Sequence, residues 1–501
     1  MKSVYIAGAG MTKFGKDPRP LAAILSEAAA QALTRAEVDT VDAIYVGAMN
    51  PEEFTGDSNL ASQVADALEL TGIPATRIET ASSAGAAALM AGFQAVSSDY
   101  YRRVLVLAGE KMTHLSTSAT TRILAEVLDK RERLCGATMP ALAAMITEKY
   151  RQKFRLSEFR LGNMLCAVAL KNHRNGANNP LAQFQRAITR RDYFASKSVA
   201  TPLRLYDCAP ITDGAAAVLL SAEPCDVRLS GIGQGTGPVS LQDREIFTSF
   251  TATQVAAHRA YQMAETNPQG IDFAEIHDAF TPFEIITTED LGFFPAGKGG
   301  DAALAGITAP DGTLPINLSG GLKARGHPVG ASGLAQVVDV FRRLKGEIPS
   351  TREFRRGLTQ STGGLGTNNF VTILERAGAR TMQDSWALAI NNLSGTRKRT
   401  QSYDDVEGVI ETFTIVHVTP DGFLAPLALA LIRARDGSLL MAQGEDDTHL
   451  KIGQEVYVRR MDGLYLFTVK SQLQKVQEAF ARLWRRRPAD KSEENPAGGS
   501  R

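Results

Sequence analysis

Serine and histidine side chains in three short stretches could transfer acyl groups or protons. The stretch IETASSAGAAALMAGFQAV, residues 78–96, predicts a turn that runs into an Ala/Gly-rich helix, with Ser82 and Ser83 where that helix begins. A helix N-terminus carries about half a positive charge, so it favours anions and nucleophiles. His277 in HDAF and His327 in GHP belong to the residue type that most often moves protons near neutral pH. Taken alone, a GHP tripeptide is more often a structured turn than a catalytic site, and His277 at a strand end can be satisfied by Asp278 or by backbone. Residue type by itself therefore assigns a catalytic role to neither histidine.

The elements that must position these side chains form a weak internal repeat. VYIAGAGMTKFG at 4–15 is echoed by VRLSGIGQGTGP at 227–238, and each is an alternating apolar run that ends in glycines. Each copy continues with an Ala-rich helical stretch, a short strand, a second small-residue helix and a last strand, RRVLVLAGE or NNFVTILER. Two βαβαβ copies predict an α/β fold with an N-terminal half at 1–226 and a C-terminal half at 227–380.

Three further regions differ from the repeat in their residue pattern or composition. Residues from about 111 to 225 show helical apolar spacing, which predicts a helical insertion acting as a lid or ligand-binding subdomain. Alternating segments separated by Asp-Gly turns at 385–475 predict a small all-β barrel. The charged, Pro/Gly-rich tail at 476–501 has the composition of a disordered segment.

Length, charge and cysteine usage narrow the class of protein. A chain of 501 residues predicts about three folding units. Its 55 basic and 54 acidic residues balance, which argues against nucleic-acid binding and favours small-molecule chemistry. No stretch approaches the ~20 apolar residues that span a bilayer and no leader is recognised, so we expect a cytoplasmic protein without a membrane span. The four cysteines lack CxxC spacing, and no metal site is expected.

Four motifs together resemble the thiolase superfamily, nearest to its archaeal and sterol-carrier-protein-type branches. They are HDAFTPFEIITTEDLGFF, NLSGGLKARGHPVGASG, the pair KNHRNGANNP and DCAPITDGAAAV, and the Ser82 turn, in order within about 3–376. The resemblance implies a fold of α-β-α-β-α layers with a helical loop insertion. The barrel region resembles the OB-fold domain that accompanies some thiolase-like proteins, here fused to the same chain.

The resemblance also implies acyl-CoA chemistry and a role for each motif residue. Ser82 occupies the position of the family's acyl-accepting cysteine, and His277 and His327 correspond to the polar groups that move protons and stabilise an oxyanion or enolate. Gly363 in the loop STGGLGT is the implied oxyanion donor, and Ser361 stands where biosynthetic thiolases carry a second cysteine. The acyl-CoA thioester is the substrate, and no other cofactor is implied.

Several alternatives stay open at this stage. A serine hydroxyl needs an adjacent base, so Ser82 is either an acyl acceptor or only an N-cap of its helix, with Ser83 as the other cap. The chain is an acyltransferase, a non-catalytic acyl-CoA-binding or regulatory subunit, or a decarboxylase of a CoA ester. A homodimer or a partner enzyme is possible. His173 in KNHRNGANNP is interpreted as a structural contact.

Overall fold

The computed structural model describes residues 2–350, 352–378, 405–444, 450–461 and 463–470. The expected end of the C-terminal half at 380, the start of the barrel at 385 and the tail at 476–501 lie outside these ranges. Within them, no helix is long and apolar enough to cross a bilayer.

The N-terminal half contains four strands and four helices before the insertion. They are β1 (Val4–Met11), α1 (Leu21–Ala36), β2 (Ala43–Gly47), α2 (Pro51–Thr55), α3 (Leu60–Ala67), β3 (Ala75–Ile78), α4 (Ala84–Ser97) and β4 (Arg103–Glu110). The insertion and the strand after it follow as α5 (Thr117–Ala125), α6 (Lys130–Leu134), α7 (Met139–Lys153), α8 (Glu158–Ala177), α9 (Arg190–Ala195), β5 (Ser198–Ala200), β6 (Leu203–Arg204) and β7 (Gly214–Ser221).

The C-terminal half and the barrel complete the described chain. The half consists of β8 (Val227–Thr236), α10 (Thr251–Met263), β9 (Phe273–Ile276), α11 (Thr281–Asp290), α12 (Gly299–Leu304), α13 (Gly321–Arg325), α14 (Ser332–Leu344), β10 (Arg356–Gly363) and β11 (Asn368–Arg376). The barrel strands are β12 (Asp405–Val416), β13 (Leu427–Ala434), β14 (Leu439–Gly444), β15 (Glu455–Met461) and β16 (Leu464–Val469).

The two halves form one mixed sheet in the order β3-β2-β4-β7-β1-β8-β11-β10-β9. The halves meet where β1 and β8 pair through Val4 with Leu229 and Tyr5 with Arg228. Helices α4 and α14 pack against each other, and α14 also contacts strands of both halves. Helix α1 covers the N-terminal strands, and α10 covers β8 and β11. The strands of each half therefore make one β layer, with α4 and α14 between the two layers and α1 and α10 outside them. This arrangement confirms the predicted α-β-α-β-α layers.

The glycines of the internal repeat allow helix and strand to pack closely. A Cβ on Gly10 of β1 would lie 2.1 Å from the Ala28 carbonyl oxygen on α1. A Cβ on Gly233 of β8 would lie 2.1 Å from the Ala256 carbonyl oxygen on α10. Glycine on the strand and alanine on the helix therefore recur in both halves because neither contact has room for a larger side chain.

Two features of the strand pattern differ from the sequence prediction. The region expected to be a helical insertion at 111–225 ends with β7, which lies in the core sheet between β1 and β4. Its sequence GAAAVLLS is buried along its whole length, so it lacks the alternation that marks a half-exposed strand.

The strand that matches β4 in the second half is β10, not β11. Strand β10 runs parallel to β9 as β4 runs parallel to β2, whereas β11 is antiparallel to its neighbours. The sequence pattern did not indicate β10 because several of its buried residues are polar. Gln360, for example, is fully buried and donates to Thr362 Oγ1 at 2.8 Å.

The C-terminal strands form a closed barrel, which fits the expected OB-like domain. The order β13-β14-β16-β15-β12 closes because β12 also pairs with β13. The barrel joins the insertion through a bridge between Val416 of β12 and Ala200 of β5. The barrel is therefore in direct contact with the insertion.

Candidate active site

The turn before α4 holds Ser82 in a cavity wall. Ser82 is 8% exposed, and the residue before it, Ala81, has a positive φ of 56°. Alanine pays a steric cost of about 1–2 kcal/mol in this left-handed region, which the surrounding structure must offset. The Ala81 N–H donates to the Glu79 carboxylate. The turn is thus a strained, tightly held corner like those that often present functional side chains.

The N-cap position of α4 belongs to the neighbouring serine, whose side chain makes no capping hydrogen bond. Ser83 occupies the N-cap position of α4, and its hydroxyl donates to the Thr80 carbonyl oxygen at 2.7 Å instead of capping the helix. Among the described residues, the Ser82 side chain makes no hydrogen bond, and it does not occupy the N-cap position. The structure therefore gives the Ser82 hydroxyl no capping role.

His277 follows directly after β9 and is held by β10. Its backbone N–H donates to Gln360 Oε1 at 3.2 Å, and its Nδ1 accepts the backbone N–H of Thr362 at 3.2 Å. Because Nδ1 is an acceptor, the ring proton lies on Nε2, which is left as a donor. Burial, with His327 and Arg325 nearby, holds the pKa of His277 well below its usual range.

His327 has the complementary arrangement. Its Nδ1 lies 2.7 Å from Ser332 Oγ, and that hydroxyl donates to the Pro328 carbonyl oxygen at 2.9 Å. The single hydroxyl proton is therefore used, so Nδ1–H donates to Ser332 and Nε2 keeps its lone pair. Burial, and to a smaller extent the Arg325 cation, lowers the pKa of His327 to about 3.

The two imidazoles lie side by side and stay neutral at pH 7. Their ring centroids are 5.1 Å apart and their planes are nearly perpendicular, at 89°. After burial, repulsion from the His327 ring is the next cause that lowers the pKa of His277. One ring can donate a hydrogen bond while the other accepts a proton, which is the pairing that carbonyl and enolate chemistry needs.

The glycine loop packs against the Ser82 turn. A Cβ on Gly363 would lie 2.2 Å from the Thr80 carbonyl oxygen and 2.5 Å from Ser83 Oγ, so this contact requires glycine. The next residue, Gly364, lines the cavity. Ser361 does not line it; its hydroxyl is buried without a hydrogen-bond partner and faces Gly333 of α14.

One cavity of about 170 Å³ brings the candidate residues together. Ser82, His277 and His327 all line it. Most of its wall is apolar, with Met49, Met112, Leu124, Met139, Ile211 and Phe283 among the contributors. No Asp, Glu, Lys or Arg of the described residues lines it. The cavity therefore suits an uncharged, apolar group with one polar centre, such as an acyl thioester.

A buried polar network supports the HDAF motif from behind. Asp278 accepts the Leu322 N–H of α13 at 2.6 Å and the Asn172 amide of α8 at 2.7 Å. Burial, with Glu284 close by, raises the pKa of Asp278 well above its usual range. Asp278 thus connects the motif of His277 to α13 and α8, and it does not hydrogen-bond the His277 ring.

His173 lies outside the cavity lining, whereas Cys208 belongs to it. His173 on α8 is 3% exposed, stacks on Phe184 and meets Tyr206 edge-on, and burial lowers its pKa to about 4. This packing agrees with the structural interpretation. Cys208 does line the cavity, but burial raises the pKa of its thiol to about 12, so it stays protonated.

Sequence reasoning missed the residues that fix the two histidines. Ser332, Thr362 and Gln360 set the ring orientations, and Thr212 Oγ1 accepts the His327 N–H at 2.9 Å. The position of Ser332 five residues after His327 was a usable signal; the others come from distant segments. Among the described residues, no group of three or more metal-ligating side chains could hold a metal ion.

Comparisons with known proteins agree with the motifs. Residues 4–224 match the family described as Thiolase, N-terminal domain, and residues 233–376 match Thiolase C-terminal domain-like. The chain is similar to an acetyl-CoA acetyltransferase of Methanothermobacter thermautotrophicus, with 38% identity over 390 residues, or 75% of this chain and 100% of the relative.

Two solved structures share the fold. A monomeric SCP2-thiolase like protein type 1 from Mycobacterium smegmatis matches with a TM-score of 0.69 and 16% identity, over 93% of this chain and 99% of that one. A structure titled Ltp2-ChsH2(DUF35) aldolase matches with a TM-score of 0.65 and 22% identity, over 76% of this chain and 99% of that one. The first match extends beyond the two halves into the C-terminal region.

Proposed function

We propose that this chain, which belongs to the thiolase family, transfers the acyl group of a coenzyme A thioester. In this proposal Ser82 accepts the acyl group. The observation that supports the proposal most directly is the shared cavity of Ser82, His277 and His327. A thioester carbonyl and its acyl chain carry no charge, so they can enter an apolar cavity without the cost of burying an ion.

In the proposed reaction, Ser82 Oγ attacks the thioester carbonyl carbon. Its proton passes to the free lone pair of His327 Nε2, and the carbonyl oxygen takes the negative charge. His277 Nε2–H and the backbone N–H of Gly363 are the proposed donors to this oxyanion. When the C–S bond breaks, the coenzyme A sulfur leaves with the electron pair and takes the proton back from His327. No cofactor beyond the thioester takes part.

A second candidate is the cleavage of a carbon–carbon bond without an acyl-enzyme intermediate. The observation that favours it is that the hydrogen-bond partner of His327 Nδ1 is the Ser332 hydroxyl. Serine hydrolase triads place a carboxylate behind the histidine to stabilise the imidazolium. Here that place is taken by the Ser332 hydroxyl, and the pKa of His327 lies at about 3, so His327 is a weak base towards a serine hydroxyl.

Decarboxylation of a malonyl-type thioester avoids the need for an alkoxide, but it requires the malonyl carboxylate to enter a cavity whose described lining contains no cation. Carbon dioxide leaves, the electrons of the broken bond form the thioester enolate, and His277 Nε2–H stabilises the enolate oxygen until a proton from water reaches the carbon. The Ltp2-ChsH2(DUF35) aldolase, which has the same fold, is named for carbon–carbon chemistry. This candidate assigns no covalent role to Ser82.

Replacing Ser82 separates the candidates. The full-length chain is given acyl-CoA thioesters of different lengths and malonyl-CoA, with mass spectrometry of the intact protein and assays of free thiol and carbon dioxide. Acyl transfer predicts an adduct on Ser82, and S82A loses the adduct and about 10³-fold or more in rate. Ser98→Ala, an exposed serine at the other end of α4, is the matched control and should keep both.

Other outcomes contradict the first proposal. Carbon dioxide release that survives in S82A supports the second candidate. Saturable binding of thioesters without any turnover supports the non-catalytic binding subunit predicted as an alternative. Ser82→Cys adds a further readout, because a thiol is already a few per cent thiolate at neutral pH and needs less help from His327. Light scattering of the full-length chain tests the homodimer, which the sequence left as one alternative beside a partner enzyme.

A further inference from the structure

The C-terminal barrel contributes a side chain to the catalytic cavity. Val418, which follows β12, lines the same cavity as Ser82, His277 and His327. It is also 46% exposed, although large apolar side chains are usually buried. A residue with one face on the cavity and one face on solvent lies at the rim. Val418 is thus placed where an acyl group enters or ends.

The segment that carries Val418 is fixed to the helical insertion. The N–H of His417 donates to the Val199 carbonyl oxygen at 2.9 Å, and the N–H of Thr201 donates to the Ile415 carbonyl oxygen at 3.1 Å. Val199 itself lines the cavity. The rim is therefore a short piece of paired backbone with defined side-chain positions.

The barrel as a whole is anchored behind this rim. Val416, Leu429 and Met441 belong to one buried apolar cluster with side chains of the insertion and with Phe283. The Cys135 thiol donates to the Met441 carbonyl oxygen at 3.3 Å, and the Thr412 hydroxyl donates to the Met145 carbonyl oxygen at 3.1 Å. Lys149 and Glu411 form an ion pair at 2.6 Å. Together these contacts hold Val418 in place relative to the histidines.

We propose that Val418 determines which acyl groups the cavity accepts, and that the preferred group is apolar with about six carbons. This inference rests on the proposed acyl-CoA function and names its substrate class. The size follows from the volume of about 170 Å³, since an apolar protein cavity of about 150 Å³ holds one benzene molecule. The absence of charged side chains among the described lining residues selects against acyl groups that carry a carboxylate.

Changing the size of residue 418 should move the preferred chain length. Val418→Ala removes two methyl groups from the rim, so the best chain becomes about two carbons longer. Val418→Phe fills the rim, so the best chain becomes shorter. Each methylene that is newly buried or newly excluded changes affinity by about 4-fold. Val409→Ala is the matched control, because Val409 is 39% exposed on β12, the strand that precedes Val418, and does not line the cavity.

Binding measurements keep this test independent of turnover. Calorimetry of the full-length chain with S-alkyl-CoA thioethers, which lack the thioester carbonyl, gives the affinity for each chain length from two to twelve carbons. We expect a maximum near six carbons, shifted in opposite directions by the two Val418 variants and unmoved by Val409→Ala.

The inference and the proposed function fail in different ways. Identical length profiles for wild type, Val418→Ala and Val418→Phe overturn the role of Val418, whether or not the protein is catalytic. Affinity that is flat with chain length, or that rises steadily to twelve carbons, overturns the six-carbon class. If the profiles shift as expected while no Ser82 adduct forms, the inference stands and the acyl-transfer proposal fails.

Discussion

Replacing His327 by glutamine should flatten the dependence of stability on pH. The folded chain holds His327 neutral, with a pKa of about 3, whereas an unfolded histidine has a pKa of about 6.5. Between these values the unfolded chain binds more protons than the folded one. The stabilisation from keeping His327 neutral is therefore complete above about pH 6.5 and is lost as the pH falls towards 3.

The size of the effect follows from the difference between the two pKa values. Each pH unit inside this window costs about 1.4 kcal/mol, so His327 should remove about 3 kcal/mol of unfolding free energy between pH 7 and pH 4. His277 is destabilising in the same direction, because its pKa is also lowered. It remains in both proteins, so its contribution largely cancels when wild type is compared with His327→Gln.

Urea unfolding at pH 7, 6, 5 and 4 measures the difference. Wild type should lose about 3 kcal/mol more than His327→Gln on going to pH 4, and Ser82→Ala, which removes no titrating group from the same cavity, should follow wild type. Equal losses in wild type and His327→Gln would show that His327 is not held neutral by the fold, and the assignment of its Nε2 as a free acceptor would fall with it.

Two further substitutions test how the site is held. Ser332→Ala leaves the Nδ1–H of His327 without an acceptor, so we expect kcat to fall about 10- to 100-fold with little change in KM. Ser332→Thr keeps a hydroxyl and should largely restore kcat. An unchanged pH–rate profile and kcat in Ser332→Ala would contradict the tautomer assignment. Gly363→Ala places a Cβ 2.2 Å from the Thr80 carbonyl oxygen and should cost about 1–3 kcal/mol of stability together with most of the activity. The control is Gly162→Ala on α8, where the new Cβ meets no atom closer than 3.5 Å and the free energy of unfolding should rise by about 0.5–1 kcal/mol. A Gly363→Ala protein as stable and active as wild type would show that the glycine loop does not pack tightly against the Ser82 turn.

Several parts of the fold were predictable because they depend on local patterns. The strands and helices of the repeat have apolar periods that survive in the structure, as in β1, α10 and α14. Asp-Gly turns between alternating segments marked the barrel. Strands β7 and β10 were missed because both are buried on two faces, one with small apolar residues and one with hydrogen-bonded polar residues.

The sequence by itself determined the family, the two halves, and the identity of Ser82, His277 and His327 as the residues to examine, because motifs and periodicity are properties of neighbouring positions along the chain. Only the tertiary structure decided that these three side chains share one uncharged cavity, that the rings differ in the nitrogen that carries the proton, and that Val418 of the barrel completes the wall. Those features depend on contacts between segments far apart in sequence. The physical reason is that burial and hydrogen-bond partners, which set pKa, tautomer and cavity shape, exist only after distant segments have packed together.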